Sequence, residues 1–265
     1  MKLTITHTTS YIYDAPVSYG LQQVRLCPVN TTQQKVIDWS VDVEGGKKEL
    51  SFTDHHQNHT ILLQSDPGQQ EVKVTARGVV ETLDDMGVLG RAHGTAPLWY
   101  FQQHTPRTQP GKEIRKLAKP LRGSDDVLGD LHRLSSAILA MVPYKIGETE
   151  AWTTAEDALN AQAGVCQDHA QIFIAVAREA GVPARYVSGY LMMNDRIEQD
   201  ATHAWAEAHV DGLGWVGFDV SNGISPDARY VRIATGRDSR DAAPITGVRL
   251  GSAQESMIVA LQVQQ

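Results

Sequence analysis

Three residues in the second half of the chain have the side chains that nucleophilic cleavage of an amide needs: Cys166, His203 and Asp219. The sequence Gly-Val-Cys-Gln-Asp at 164–168 is followed by small and apolar residues at helical spacing, which places Cys166 in the first turn of a predicted helix. Free backbone N–H groups and the positive end of the helix dipole stabilise a thiolate there, and the thiolate is the nucleophilic form. A lone cysteine is more often a small buried side chain, so the interpretation depends on the other two residues.

His203 and Asp219 are predicted to lie on neighbouring strands of one hairpin. Side chains alternate between the two faces of a strand, so the patterns of residues 203–210 and 215–220 place both side chains on one face. If the hairpin is centred on Asp211, the two residues lie directly opposite each other, close enough for the carboxylate to accept a hydrogen bond from the imidazole. Such a bond fixes the histidine tautomer and stabilises the imidazolium. A register shift of one residue would separate them.

The elements that must position these residues follow the order of an α+β fold. Residues 1–83 alternate between apolar and polar positions, with glycine and proline at the turns, and predict a small all-β domain. Residues 84–123 lose this periodicity and gain glycine and proline, Gly94 among them. This is typical of a connecting segment, with one short helix near residues 112–118. Residues 124–265 predict helices followed by strands, the catalytic core of the chain.

Capping residues set the predicted bounds of these helices. Ser124 is the predicted N-cap of the first helix, which ends before a proline. The second begins near Thr153, because Thr-Thr-Ala-Glu at 153–156 has the spacing of a capping box. The third is the Cys166 helix, and Gly181 supplies its left-handed C-cap.

Composition narrows the class of protein. The 265 residues carry a formal net charge of −7, which argues against nucleic-acid and anionic-membrane partners. No apolar run approaches the length of a membrane span, and the first residues lack the apolar core of a secretory signal. The two cysteines form no disulfide framework, and Cys27 is expected to be a packed thiol. We therefore expect a cytoplasmic protein.

Histidine and acidic clusters elsewhere in the chain do not indicate a metal site. The histidines of residues 54–59 match no zinc-site spacing. The acidic pairs at 84–85 and 125–126 lack the alternating oxygen ligands of a calcium loop. We expect neither a metal nor a cofactor. Arg185, in a predicted strand, is expected to pair with a buried carboxylate that the sequence does not identify.

The blocks around the three reactive residues resemble the transglutaminase-like superfamily. The motifs that carry the resemblance lie at 164–168, 181–190, 203–207 and 214–219. Residues 7–13, 24–28 and the strand to Val43 resemble the N-terminal β-domain of bacterial members, and residues 236–247 resemble their C-terminal signature. The chain departs from the family in three places, and one of them is residues 54–59, which stand where the N-terminal domain often has a Gly-Asn turn. Asp-Val-Ser-Asn at 219–222 stands where Asp-Pro-Thr is common, and Ser239 replaces a common tyrosine.

The resemblance implies a papain-like fold in which Cys166 is the nucleophile, His203 the base and Asp219 the residue that orients the histidine. Cys166 would attack an amide carbonyl and form a thioester while His203 passes a proton to the leaving nitrogen. Backbone N–H groups near Cys166 would bind the oxyanion. The candidates for a further donor or a pocket wall are Gln167, Trp152 and Trp205.

Water or an amine can resolve such a thioester. Hydrolysis of a peptide, isopeptide or glutamine-type amide is the expected outcome, because excluding water needs a dedicated amine tunnel. The alternative reaction is protein–glutamine amine transfer, and the alternative class is a non-catalytic binding module on the same fold. The intact set of three residues counts against the module. The expected partner is a peptide or protein amide, and the oligomeric state is not predicted.

Overall fold

The computed structural model describes residues 1–91 and 96–265 of the chain. Gly94 of the predicted connecting segment lies outside the described residues. The strands are β1 (Lys2–Val17), β2 (Tyr19–Cys27), β3 (Gln34–Glu44), β4 (Gly46–Thr53), β5 (His59–Ser65), β6 (Gln69–Thr82), β7 (Val88–Gly90), β8 (Ala184–Leu191), β9 (Glu198–Gln199), β10 (His203–Val210), β11 (Gly214–Phe218), β12 (Tyr230–Gly236), β13 (Ile245–Leu250) and β14 (Glu255–Gln264). The helices are α1 (Lys112–Ala118), α2 (Val127–Met141), α3 (Ala155–Ala161) and α4 (Cys166–Glu179), with a 3-10 helix at Leu98–Gln102.

Within these ranges the strands form three antiparallel sheets. The first has the order β3-β6-β1-β14-β9, the second β12-β8-β10-β11-β7, and the third β13-β2-β5-β4. The N-terminal region is rich in strands, and the four α-helices precede all the strands of the second sheet except β7, so the fold is α+β. The predicted short helix near residues 112–118 is confirmed by α1.

The last two strands of the chain complete the sheets of the N-terminal region. Strand β14 pairs with β1 from Thr4↔Gln264 to Tyr13↔Glu255, and β13 pairs with β2. The sequence-based division assigns both strands to the C-terminal core, whereas their pairing partners lie in residues 1–83. The reason is that β1 and β2 would otherwise present open edges, and an unpaired edge leaves backbone N–H and C=O groups without partners. Leu261 and Val263 also add their side chains to the N-terminal core.

Helix α4, which begins at Cys166, is the central helix of the C-terminal core. Its residues 168–178 are all buried, because α4 packs on β10 and β8 and is covered by α1, α2 and α3. A helix covered on all sides needs apolar side chains on all sides, which explains the run from Ile172 to Ala177; its buried polar side chains, such as His169 and Arg178, are hydrogen-bonded. The left-handed Gly181 (φ +89°) follows its end, as the sequence predicts.

Two predicted helix caps are wrong. The N-cap of α2 is Asp126 rather than Ser124, and its carboxylate accepts a hydrogen bond from the N–H of Gly129 at 3.0 Å. The N-cap of α3 is Thr154 rather than Thr153. Glu156 does not close a capping box, because a tertiary contact uses its carboxylate to cap α1 instead.

Candidate active site

Cys166 is the first residue of α4, where the chain turns sharply out of an extended segment. Val165 precedes it in an extended conformation. The Asp168 carboxylate accepts hydrogen bonds from the N–H of Val165 at 2.8 Å and from the Thr149 hydroxyl at 2.7 Å. Asp168 is fully buried, so these bonds fix the start of the helix. The Cys166 side chain is half-buried at this end of α4.

His203 and Asp219 are in direct contact, as the sequence predicts. The Nε2 of His203 lies 2.6 Å from Oδ2 of Asp219, and Asp219 is fully buried. His203 is 9% exposed and lies at the start of β10. The contact therefore forms in a largely desolvated place, where a charge-assisted hydrogen bond is strong.

The register of the β10–β11 hairpin differs from the predicted one. Val210 pairs with Gly214 and Ala206 with Phe218, so the hairpin is centred on Gly212 rather than Asp211. The three-residue loop is 211–213, and its central residue, Gly212, adopts the left-handed conformation (φ +84°) that favours glycine. The shift moves the pairing by two positions and keeps both side chains on the same face. His203 and Asp219 are therefore diagonal rather than direct cross-strand neighbours, and both lie just beyond the last paired residues of the hairpin, Ala206 and Phe218.

Asp219 is held by donors from two further residues. Asn222 donates to it from Nδ2 at 2.7 Å, and the Tyr230 hydroxyl donates at 2.7 Å. Burial on its own would raise the pKa of Asp219, but the hydrogen bonds from His203, Asn222 and Tyr230 lower it overall. The departure from Asp-Pro-Thr thus leaves a turn in which Asn222 folds back onto the carboxylate.

His203 also interacts with the side chain of Cys166. Burial would lower the pKa of His203, but hydrogen bonds and charges from Asp219 and Cys166 outweigh it and raise the pKa to about 10. Because Nε2 is bonded to Asp219, the remaining ring nitrogen, Nδ1, is the one available to the sulfur. The structure brings the three predicted residues together, with the imidazole between the thiol and the carboxylate.

Tyr144 and His169 belong to the site and were missed from the sequence. The Tyr144 hydroxyl interacts with both the backbone N–H and the thiol of Cys166. His169 bonds the Val142 carbonyl from Nε2 at 2.7 Å and the Ser221 hydroxyl through Nδ1 at 2.8 Å. His169 thus joins α4 to the segment that follows Asp219. A tyrosine just after a helix-ending proline was the only local signal for Tyr144.

The three further candidates lie in different surroundings. Gln167 is half-buried beside Cys166, and its Nε2 lies 3.5 Å from the Glu150 carbonyl. Trp152 is 72% exposed. Trp205 is buried and stacks on His203 with ring centroids 6.4 Å apart, so it supports the imidazole from the protein interior.

The structure also shows the surroundings of Arg185 and Cys27. The carboxylate partner of Arg185 is Glu207, whose Oε2 lies 2.7 Å from Nε. Burial raises the pKa of Cys27 to about 11, in keeping with a packed thiol.

In the part of the chain that the structure describes, no group of three or more histidine, cysteine or acidic residues is arranged to hold a metal ion. No helix among these residues is long and apolar enough to cross a membrane.

Two known protein families match parts of this chain. Residues 115–220 match the transglutaminase-like superfamily, and residues 3–81 match the bacterial transglutaminase-like N-terminal region. The chain belongs to the transglutaminase-like superfamily. The resemblance inferred from the sequence motifs is confirmed, and the matched transglutaminase-like core contains Cys166, His203 and Asp219.

Relatives of this transglutaminase-like protein share its full length. An uncharacterized protein of Mycobacterium leprae is 27% identical over 99% of this chain and 98% of its own. An uncharacterized protein of Mycobacterium tuberculosis is 27% identical over 97% of this chain and 90% of its own. A crystal structure of a "putative cysteine protease" from Cytophaga hutchinsonii superposes with a TM-score of 0.79 at 26% identity. The superposition covers 100% of this chain and 91% of the Cytophaga hutchinsonii chain.

Proposed function

We propose that this transglutaminase-like protein hydrolyses an amide bond of a peptide, an isopeptide or a glutamine side chain through a thioester on Cys166. The observation that carries the proposal is the position of His203 between Cys166 and Asp219, with a pKa raised to about 10. A histidine with that pKa holds a proton at neutral pH, which favours transfer of the thiol proton to the imidazole. The sulfur is then a nucleophile and the imidazolium an acid.

In the acylation half-reaction, Sγ of Cys166 attacks the carbonyl carbon and a C–S bond forms while the C=O π electrons move to oxygen. When the tetrahedral intermediate collapses, the C–N bond breaks and His203 donates its proton to the departing nitrogen. An amine or ammonia leaves, and the acyl group stays on sulfur. Asp219 stabilises the imidazolium throughout, because its carboxylate accepts the hydrogen bond from Nε2.

The backbone N–H of Cys166 and the hydroxyl of Tyr144 both lie beside the sulfur, and in the tetrahedral intermediate both donate to the oxyanion, which replaces their contact with each other. Burial and then the charge of Cys166 raise the pKa of Tyr144 to about 12, so the phenol keeps its proton. One oxyanion donor is worth about 3 kcal/mol. Tyr144→Phe should therefore lower kcat by about a hundredfold with little change in KM. An unchanged kcat would remove Tyr144 from this role.

In the deacylation half-reaction, neutral His203 takes a proton from water as the water oxygen attacks the thioester carbon. The C–S bond then breaks, the carboxylic acid product leaves, and the proton stays on His203, which restores the pair of thiolate and imidazolium. An amine in place of water would give transfer instead of hydrolysis.

The decisive experiment uses a glutaminyl peptide with and without a dansylated amine. Release of ammonia with a free carboxylate on the peptide, and no dansyl label, is the result expected for a hydrolase. Cys166→Ala and His203→Ala should each abolish the reaction, and Cys27→Ala is the matched control that should retain it. Incorporation of the label would favour the transferase, and no reaction with any amide in a peptide library would favour the binding module.

We also propose that residues 1–83 form an all-β domain that β13 and β14 complete. The ten-pair ladder between β1 and β14 supports this proposal. Native-state hydrogen exchange tests it, because amides of β1 and β14 should share one opening free energy. Separate protection classes for the two strands would contradict it.

A further inference from the structure

A buried group of two arginines and one glutamate lies on the second sheet, away from the reactive cysteine. Arg185 donates from Nε to Glu207 at 2.7 Å, and Arg232 donates to both oxygens of the same carboxylate. Arg185 and Arg232 are each 8% exposed and Glu207 is 2% exposed. One carboxylate balances only one of the two guanidinium groups, so the cluster keeps a net positive charge in a place of low dielectric.

Both arginines line a cavity of about 360 Å³ between the N-terminal sheets and the second sheet. Arg91 adds a third guanidinium, and the rest of the polar lining consists of threonine hydroxyls, amides and His56. Among the described residues, no aspartate or glutamate lines this cavity, and neither do Cys166, His203 or Asp219. Its volume is at the lower end of the range for small-molecule sites, about 300–1,000 Å³.

Two of the residues that line this cavity, His56 and Arg185, carry ring or guanidinium nitrogens that are not used in hydrogen bonds with the described residues. His56 is nine-tenths buried, and neither of its ring nitrogens has a hydrogen-bond partner among residues 1–91 and 96–265. Its Nε2 faces Asp241 at 3.6 Å, which is too long for a hydrogen bond but within the range of an ion pair when His56 is protonated. Among the described residues, Arg185 has an acceptor only for Nε, and its guanidinium is fixed 4.0 Å above the Trp215 ring. A buried polar group without a partner is costly and rare, and a bound ligand is one common reason for it.

We propose that this cavity binds an oxyanion, the carboxylate or phosphate group of a small molecule. Arg185 and Arg232 supply the positive charge, and a guanidinium fork matches the two oxygens of such a group. His56 supplies a further hydrogen bond. The bound anion neutralises the excess charge of the buried cluster. The site is separate from the proposed hydrolase site and does not depend on that proposal.

The test uses the whole chain and three probes: inorganic phosphate, N-acetylglycine and its neutral amide, N-acetylglycinamide. Calorimetric titration and thermal unfolding measure binding, because a ligand that binds only the folded state raises the unfolding temperature. A saturable response to phosphate or N-acetylglycine, and none to the amide, supports the site. The anion that binds more tightly identifies which group it takes. No saturable response to either anion overturns the proposal.

Three variants test whether the anion binds in this cavity. Arg185→Lys keeps a positive charge beside Glu207 but removes the guanidinium fork, and it should weaken anion binding at least tenfold. Arg91→Glu reverses an exposed charge at the cavity and should weaken it similarly, even if Arg185→Lys does not fold. Arg77→Glu is the matched control, since Arg77 lies on the outer side of β6 and bonds Asp42. It should bind as the wild type does.

Cys166→Ser separates this site from the proposed reaction, because it removes the nucleophile and should leave anion binding unchanged. Anion binding that survives Arg91→Glu, or that is lost in Cys166→Ser, places the anion elsewhere and overturns the proposal.

Discussion

The hydroxyl of Tyr230 donates at 2.7 Å to Oδ2 of Asp219, the same oxygen that lies 2.6 Å from Nε2 of His203. Tyr230 comes from β12 and His203 from β10, with β8 between them in the sheet. Two strands that are not neighbours thus hold one carboxylate oxygen. The orientation of Asp219, and through it that of the imidazole, depends on the sheet as a whole.

Tyr230→Phe removes this donor and should destabilise the protein by about 2 kcal/mol, the usual cost of losing a hydrogen bond to a charged group. The Tyr230 hydroxyl helps to lower the pKa of Asp219, so its loss raises that pKa. As the pH is lowered, the variant should therefore lose activity at a higher pH than the wild type does. Urea unfolding and the pH–rate profile measure the two effects. Tyr100→Phe, which loses a bond to the exposed His55, is the control. An unchanged acid limb in Tyr230→Phe would contradict the expectation.

Cys166 should react with iodoacetamide faster than Cys27 at neutral pH, where the raised pKa of His203 keeps the imidazole protonated. The imidazolium stabilises the thiolate as long as it keeps its proton, whereas burial raises the pKa of Cys27 to about 11 and keeps that thiol protonated. Peptide mass spectrometry after timed alkylation measures both cysteines in one sample, so Cys27 is an internal control. His203→Ala should remove the advantage of Cys166 at low pH. Equal rates for the two cysteines would mean that the pair is not assembled.

His7 should make the protein less stable in mild acid. Burial lowers the pKa of His7 from 6.5 to about 4, and the ring bonds Tyr190 and Thr9 as a neutral group. Between about pH 6.5 and 4 the unfolded chain binds a proton that the folded chain does not. The free energy of unfolding therefore falls with falling pH, by up to about 3 kcal/mol.

His7→Gln should flatten this dependence, measured as urea unfolding free energies across the same pH range. His132→Gln, a change at an exposed position on α2, should retain the slope of the wild type. If the slope in His7→Gln equals that in the control, another group causes the acid sensitivity.

Glu156→Ala should destabilise helix α1 although Glu156 lies in α3. Its carboxylate accepts hydrogen bonds from the N–H groups of Gly111, Glu113 and Ile114, at 2.8–3.0 Å. Loss of a helix cap costs about 1–2 kcal/mol, and urea unfolding measures it. Glu113→Ala, which loses only an exposed pair with Lys116, should cost less than half as much. Equal losses in the two variants would contradict the capping role.

Local sequence patterns were enough to predict the parts of the site that short-range rules govern. Helical spacing after residue 164 placed Cys166 at the start of α4, and the period of two in a strand placed His203 and Asp219 on one face. The error of two positions in the hairpin register did not matter to the site, because an even shift preserves the face. The difference lies in the centre of the turn, which is Gly212 instead of Asp211.

Tertiary structure alone decided which distant groups meet. Glu207 as the partner of Arg185, Tyr230 as a donor to Asp219, and Tyr144 beside Cys166 each join segments whose spacing in sequence carries no information about distance in space. The same holds for β14, because nothing in residues 255–264 indicates that β1 is its neighbour. Propensity and periodicity act over a few residues, whereas sheet order and buried charge pairs are fixed by the packing of the whole chain.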